Sequence, residues 1–262
     1  MNQPVGDPRN GMASDRLAQI RTVILVCSAK GGVGKSTVAA GLALAFSGLG
    51  KKVGLLDLDV QGTSLSQVLN VQGVPAGGRS GLSPCVVDGV KVVSVSTYAG
   101  EEALPVRGET LEGLIMGLLS QVNWGELEYL LVDMPPGMGE ELMTLIKMVG
   151  PKAWALLVTT GSRMSVSVVS RMASLLKVER VKILGVVQNM SYVTCKCGEV
   201  MRPFGTADLD ELGLITADGL VFELPIDPGL EEALQRRRIL DAPELGKGLK
   251  HMAQAIDSNL MT

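Results

Sequence analysis

Apolar residues in this chain form short continuous runs separated by stretches of a different spacing. The runs lie at 22–26, 53–56, 90–95, 129–132, 153–159, 181–187 and 220–224. Short apolar runs bounded by turn residues are typical of strands buried on both faces of a parallel sheet. The pattern therefore predicts seven strands.

Between these runs, apolar residues recur three and four positions apart, which predicts helices over 38–49, 107–122, 165–177 and 243–260. A short helix is also predicted from Ser14 to about Ile20, and glycines and prolines over 71–84 predict a loop. The alternation indicates an α/β fold, a doubly wound and mostly parallel sheet with helices on both faces. We expect a flexible N-terminal tail over 1–20 and a single domain over 21–262.

Composition and charge narrow the possible partners and the location. The chain has 262 residues, of which 46% are hydrophobic, and a net charge of −3, which argues against a general nucleic-acid partner. It contains no apolar stretch of about 18 residues, so we expect no membrane span. The first ten residues lack the features of a secretion signal, so we expect a cytoplasmic protein. Its four cysteines are then expected to be reduced thiols or metal ligands.

A glycine-rich segment, Lys-Gly-Gly-Val-Gly-Lys-Ser-Thr at 30–37, joins the first predicted strand to the first long helix. Glycine backbone can wrap its N–H groups around a polyphosphate, and the helix directs its positive end to the same place. Lys35 is expected to reach the β- and γ-phosphates, and the Ser36 hydroxyl to bind Mg²⁺. The predicted nucleotide-binding residues are Lys30, Gly31, Gly32, Val33, Gly34, Lys35, Ser36 and Thr37. The alternative is a glycine-rich loop with a chance pair of lysines.

Three carboxylates follow predicted strands, where parallel sheets place their ligands. Asp57 and Asp59 end the second run, and one is expected to hold the water shell of Mg²⁺ while the other orients the attacking water. Asp133 ends an apolar strand just before Pro-Pro-Gly, the arrangement of a Walker B aspartate near Mg²⁺. The alternatives are solvated loop aspartates and an ordinary strand-to-turn boundary.

Cys195 and Cys197 lie one residue apart on a polar stretch, which indicates soft-metal ligands. A four-thiolate site needs two more ligands, whereas Cys27 is expected in the core and Cys85 has no second cysteine near it in the sequence. A two-fold dimer in which each chain supplies the pair is the most economical solution. Two incidental reduced cysteines are the alternative.

These stretches together resemble the Mrp/ApbC family of iron–sulfur cluster carriers, within the MinD/ParA/nitrogenase-iron-protein class of deviant P-loop ATPases. The resemblance covers about residues 23–233. Its motifs are the phosphate loop, the stretches at 54–59 and 124–137, Asn-Met-Ser-Tyr at 189–192, the cysteine pair and Leu-Pro-Ile-Asp at 224–227. It implies a homodimer that binds and hydrolyses Mg-ATP and carries a bridging 4Fe–4S cluster, held by Cys195 and Cys197, to apo iron–sulfur proteins.

The resemblance also implies roles for single residues. Lys30 would be the signature lysine that contacts nucleotide phosphate across the dimer interface. Asp59 would position the attacking water and Asp133 would be the Walker B residue. Asn189 would recognise adenine, and Pro225 would flank the base.

Two rival functions stay open, and a departure from the family pattern motivates the first of them. The family usually has Cys-x-x-Cys, whereas this chain has Cys-x-Cys at 195–197. The first rival is a nucleotide-dependent scaffold without a cluster. The second is a MinD- or ParA-like positioning ATPase that uses its last helix on a membrane or its arginine run at 236–238 on DNA.

Overall fold

The computed structural model describes residues 9–59, 64–69, 71, 76–78, 81–95, 111–195, 197–205, 216 and 219–261. Three predicted features lie partly outside these residues: the first eight residues of the tail, positions 107–110 of a helix, and part of the loop over 71–84.

A sheet of eight strands forms the centre of the molecule. Its order is β12-β9-β8-β1-β7-β2-β6-β5, and all neighbours pair in parallel except β5 and β6. Two further pairs, β3 with β4 and β10 with β11, are short and antiparallel. The strands are β1 Ile20–Cys27, β2 Val53–Asp57, β3 Ala76–Gly78, β4 Gly81–Ser83, β5 Cys85–Val87, β6 Val90–Ser94, β7 Leu127–Asp133, β8 Ala153–Thr159, β9 Lys182–Gln188, β10 Val193–Thr194, β11 Val200–Met201 and β12 Val221–Glu223.

Helices cover both faces of the sheet. They are α1 Arg9–Ala18, α2 Lys35–Gly48, α3 Ser64–Leu69, α4 Leu111–Gln121, α5 Glu140–Val149, α6 Arg163–Val178, α7 Leu230–Gln235 and α8 Leu245–Met261. One apolar core joins the sheet to α1, α4, α5 and α6, and the other joins it to α2, α3, α7 and α8. Alternate residues of β1 enter the two cores, Leu25 on one side and Ile24 on the other, as strand geometry requires. The doubly wound α/β prediction is confirmed.

The helix that follows the phosphate loop is buried almost all round. Eleven residues of α2 are buried because the helix lies between the sheet and α8. Gly41 permits this close packing, since a Cβ there would lie 2.4 Å from a methyl carbon of Leu249. Packing therefore fixes the position of α2 on two sides, and this also fixes its first turn, where the phosphate loop ends.

Several boundaries differ from the predictions. The first helix begins at Arg9 and ends at Ala18, because Ile20 already pairs with Leu127 in the sheet. The loop predicted over 71–84 contains the pair β3–β4. Helix α5 was not predicted, since its apolar residues follow the motif Pro-Pro-Gly without a clear boundary signal. Among the described residues, no helix is long and apolar enough to cross a membrane.

Candidate nucleotide site and cysteine hairpin

The phosphate loop connects β1 to α2 at the carboxyl edge of the sheet. A cavity of about 260 Å³ lies over it, lined by every residue from Lys30 to Thr37 together with Asp59 and others. Gly32 and Gly34 have φ angles of 78° and 79°, a left-handed conformation that favours glycine. The structure therefore brings the predicted loop residues together around one cavity.

Lys35 and Asp133 form a buried ion pair next to this loop. The Lys35 ammonium donates a hydrogen bond to Asp133 Oδ1 and lies 3.8 Å from Asp59 Oδ2. The Lys35 and Asp133 side chains are 6% and 0% exposed. Burial raises the pKa of Asp133, while the charge of Lys35 acts in the opposite direction. The phosphate-loop lysine thus compensates a carboxylate that would otherwise be buried alone.

The two aspartates after β2 have different surroundings. Asp57 is buried, and its carboxylate accepts hydrogen bonds from the Ser94 hydroxyl at 2.7 Å and from the Asp59 backbone N–H at 3.0 Å. Burial raises the pKa of Asp57 to about 7. Asp59 lines the cavity and faces Lys35. Of the two, Asp59 is therefore the one placed beside the loop cavity.

The donor set near Asp133 fits Mg²⁺. Asp133 Oδ2 is buried and has no hydrogen-bond partner within the described part of the chain. The hydroxyl-bearing Ser36 lines the cavity on the same loop. Hydroxyl and carboxylate oxygens are the ligands that Mg²⁺ prefers, usually with several waters retained.

Asn189 directly contacts the phosphate loop. It follows β9, its backbone N–H donates to the Thr159 carbonyl at 2.8 Å, and its side-chain Nδ2 donates to the Val33 carbonyl at 2.9 Å. A Cβ on Gly34 would lie 2.3 Å from that Nδ2. Glycine at position 34 therefore leaves the room that Asn189 occupies.

Pro225 lies on the neighbouring strand end. It is buried and lies two residues after the end of β12. The intervening residue, Leu224, donates its N–H to the carbonyl of Gln188 at 3.0 Å and accepts a hydrogen bond from the Ser191 N–H at 2.9 Å. The two residues assigned to the base by resemblance thus lie on adjacent, hydrogen-bonded strand ends.

Cys195 and Cys197 lie in the turn of the hairpin formed by β10 and β11. The Cys195 N–H donates to the Glu199 carbonyl at 2.8 Å, and the Gly198 N–H donates to the Cys195 carbonyl at 2.9 Å. Both cysteines are exposed. Hydrogen bonds from the Glu199 backbone and from Cys195 lower the pKa of the Cys197 thiol. The turn therefore presents two thiols, one with increased thiolate character, to the outside.

The remaining ligands of a metal site are not contributed by this part of one chain. Within the described ranges, no group of three or more His, Cys, Asp or Glu side chains is close enough to hold a metal ion. Cys27 is buried behind the phosphate loop, as predicted, and burial raises its pKa to about 12.

Sequence reasoning missed the residues that support the site. Ser94 holds Asp57, and Met190, which lines the cavity, has a φ angle of 53° that is unusual for a residue other than glycine. Arg202 and Glu223 join the cysteine hairpin to β12. Only the Ser94 position, at the end of the strand beside Asp57, carried a usable signal.

A mostly parallel sheet with a glycine loop, its ion-paired lysine and an aspartate-ended neighbouring strand defines a P-loop NTPase of the MinD/ParA class. The family model for ParA, described as the NUBPL iron-transfer P-loop NTPase, matches residues 19–260. The chain belongs to this family of iron–sulfur cluster carrier and assembly NTPases.

Relatives of similar sequence carry matching names. An iron-sulfur cluster carrier protein of Methanocaldococcus jannaschii is 36% identical over 224 residues, covering 84% of this chain and 77% of the relative. The cytosolic Fe-S cluster assembly factor NUBP2 of Rattus norvegicus is 37% identical over 231 residues, covering 85% of each chain.

Solved structures agree with the fold. A nucleotide-binding protein from Archaeoglobus fulgidus, in complex with ADP and with cobalt found in it, has a TM-score of 0.77 at 35% identity, covering 88% of this chain and 92% of that one. The cell division ATPase MinD of Pyrococcus furiosus has a TM-score of 0.67 at 23% identity, covering 91% and 99%, and supports the fold alone.

Proposed function

We propose that the protein is a homodimeric, Mg²⁺-dependent ATPase that carries an iron–sulfur cluster between two subunits and delivers it to apo iron–sulfur proteins. The observation that carries the proposal is the pairing of a complete phosphate loop with two exposed thiols on the hairpin that follows β9, the strand that positions Asn189. The relatives named as cluster carriers and assembly factors support it. Because the NUBP2 relatives are named as cytosolic, we place this activity in the cytosol.

The nucleotide half of the proposal uses the loop and its carboxylates. Lys35 exchanges its contact with Asp133 for the β- and γ-phosphates, and Asp59 orients a water for attack on the γ-phosphorus. A bond forms between the water oxygen and the γ-phosphorus. The bond between the γ-phosphorus and the β–γ bridging oxygen breaks, and that oxygen leaves with ADP. Lys30, from the partner subunit by resemblance, neutralises the charge that develops.

Mg²⁺ belongs to the same site. Ser36 would hold it directly, and Asp133 and Asp57 through its water shell, so that these residues orient its ligands. When bound, the ion neutralises charge on the β- and γ-phosphates.

The cluster half of the proposal uses the cysteine pair twice. Two thiolates from each of two chains complete a set of four, the ligand number of a 4Fe–4S cluster. During delivery, the thiolates of a client protein replace those of Cys195 and Cys197 one at a time, so no electron transfer is required. The exposure of both cysteines gives such a client direct access.

Anaerobic reconstitution with iron and sulfide tests the proposal. We expect the wild type to bind one cluster per two chains, and Cys195→Ala and Cys197→Ala each to lose it, as read by iron and sulfide per chain and by native mass. Cys85→Ala is the matched control and should retain the cluster, because that residue lies on β5 at the far edge of the sheet. A wild type that binds ATP and never holds iron would refute the carrier function and favour the scaffold.

A further inference from the structure

The base of the cysteine hairpin is tied to the rest of the protein by one arginine. Arg202 directly follows β11, and its guanidinium donates hydrogen bonds to both Glu223 oxygens and to the Ser191 hydroxyl, the last at 2.8 Å. The guanidinium also lies 5.8 Å from the centre of the Tyr192 ring. Arg202 in turn holds the pKa of Glu223 below its usual value.

The hydroxyl of Ser191 is the centre of this network. It accepts hydrogen bonds from Arg202 and from Gln188 Nε2, each at 2.8 Å, and donates a hydrogen bond to Glu223 Oε1. A serine hydroxyl has one donor and two acceptor positions, so all three are used. Because Ser191 and Gln188 are fully buried, a shift of one member would leave a buried polar group unpaired.

The partners of Arg202 lie beside the two residues assigned to the nucleotide base. Gln188 ends β9 and precedes Asn189, whereas Glu223 ends β12 and is separated from Pro225 by one residue. Glu223 contacts Arg202 directly, whereas Gln188 reaches it through the Ser191 hydroxyl. A base bound between Asn189 and Pro225 would therefore hold the two strand ends that this network connects to Arg202.

From Arg202, the connection to the thiols is short. Met201 pairs with Val193 and Val200 pairs with Thr194 across the hairpin, and Cys195 follows directly. On the other side of Arg202, Gly205 approaches Gly161, where an added Cβ would lie 2.6 Å from the Gly205 carbonyl oxygen. The segment after the hairpin is thus also held against the loop that follows β8.

We propose that Arg202 is a positioning residue through which nucleotide occupancy changes the arrangement of Cys195 and Cys197. When the base joins the ends of β9 and β12, the Ser191–Arg202–Glu223 network tightens and the hairpin is more restrained. The inference rests on the proposed function for its biological meaning, since it assigns to a cluster-holding hairpin the means of responding to nucleotide.

Thiol alkylation of the reduced, metal-free protein tests this without any cluster. Rates at Cys195 and Cys197 are measured separately by mass spectrometry with iodoacetamide, with and without saturating ADP. We expect ADP to slow both reactions in the wild type by about fivefold, the lower end of ordinary coupling between sites. Arg202→Gln should reduce the effect of ADP to less than about 1.5-fold while ADP still binds.

A double-mutant cycle separates positioning from general stabilisation. Glu223→Gln alone should also reduce the effect, and adding it to Arg202→Gln should change nothing further, because both act through one network. The matched control is Arg236→Gln, which breaks another Arg–Glu pair, the exposed pair of Arg236 with Glu232 at the end of α7. It should leave the wild-type response to ADP intact.

Two results would overturn the inference: wild-type thiols that react at the same rate with and without ADP, or an Arg202→Gln variant with the full wild-type response. Either can occur in a protein that reconstitutes its cluster normally, so the carrier function would survive. The opposite combination is also possible: the wild-type thiols respond to ADP, Arg202→Gln loses that response, and the wild type holds no cluster. That result would support the inference and refute the carrier function.

Discussion

Asn189 donates a hydrogen bond from Nδ2 to the carbonyl oxygen of Val33, 2.9 Å away, across 156 positions of the sequence. The contact joins the end of β9 to the middle of the phosphate loop. It also explains the glycine at position 34, where any Cβ would occupy the same space as the Asn189 amide. Asn189 therefore has a structural partner in the loop in addition to the base assigned to it by resemblance.

Replacing Asn189 separates these two roles. Asn189→Ala removes the hydrogen bond to Val33, which costs about 1–1.5 kcal/mol. Because this bond holds the phosphate loop, we expect phosphate ligands to bind about tenfold more weakly. We expect the affinities for both ADP and pyrophosphate to fall, measured by isothermal titration calorimetry. Pyrophosphate has no base, so a fall in its affinity reports on the phosphate loop alone.

Asn123→Ala provides the control, since the Asn123 side chain likewise bonds a distant residue: its Oδ1 accepts a hydrogen bond from Arg16 at 2.8 Å, away from the cavity. It should leave both affinities unchanged. If Asn189→Ala weakened ADP and left pyrophosphate binding untouched, the bond to Val33 would have no part in phosphate binding.

Asp57 makes the nucleotide-free protein sensitive to pH. Burial raises its pKa to about 7, so folding favours the protonated form. Its contribution to stability is therefore fully present below the unfolded value near 4 and is lost as the pH rises towards 7. Asp57→Asn keeps the shape of the side chain and removes the charge. It should raise the free energy of unfolding at pH 8 by up to about 4 kcal/mol and by much less at pH 5.

Urea denaturation at the two pH values, with EDTA present to remove Mg²⁺, measures this difference. Asp15→Asn, which removes an exposed carboxylate on α1, is the control. The assignment would be wrong if the stability gain from Asp57→Asn were the same at pH 5 and pH 8.

Much of the fold was predictable because its signals are local. The apolar run at 153–159 became a strand with the same bounds, and the run at 53–56 was extended by one residue to Asp57. The glycine loop at 30–37 was recognisable because a phosphate cradle needs consecutive residues of fixed type. Parallel strand ends then bring Asp57 and Asp133 to one edge.

What could not be predicted depends on contacts between distant residues. The Lys35–Asp133 ion pair joins positions 98 apart, and the bond between Arg202 and Glu223 joins positions 21 apart. The antiparallel strand β5 was not predicted, because its three residues, Cys85–Val87, are too few for a periodic signal.

Gly161 controls the approach of the segment after the cysteine hairpin. An added Cβ would lie 2.6 Å from the Gly205 carbonyl oxygen and 3.0 Å from Gln188 Nε2. Gly161→Ala should therefore lower the free energy of unfolding by about 1–3 kcal/mol through overpacking. Urea midpoints and slopes measure the change.

Gly11→Ala is the matched control, because the site is open and lies in helix α1, where alanine should stabilise by about 0.5–1 kcal/mol. Changes of the same sign at both sites would contradict the packing at Gly161.

Lys30 should matter for hydrolysis far more than for binding. It lines the cavity half-buried, and in the proposed dimer it acts on the charge that develops at the γ-phosphate. Lys30→Ala should reduce kcat for ATP by about 10²–10³-fold, the usual cost of losing one group that stabilises developing charge. ADP affinity should fall by less than about tenfold, because the glycine backbone and Lys35 remain.

Phosphate release under saturating ATP and Mg²⁺ measures kcat, and calorimetry measures the affinity for ADP. Lys250→Ala removes the same charge from an exposed position on α8 and should leave both values within about twofold, as is usual for surface positions. A Lys30→Ala variant that hydrolyses ATP at the wild-type rate would exclude this lysine from the transition state. If that variant also lost ADP affinity, Lys30 would serve nucleotide binding alone, since an interaction equally strong in the ground state and the transition state leaves kcat unchanged.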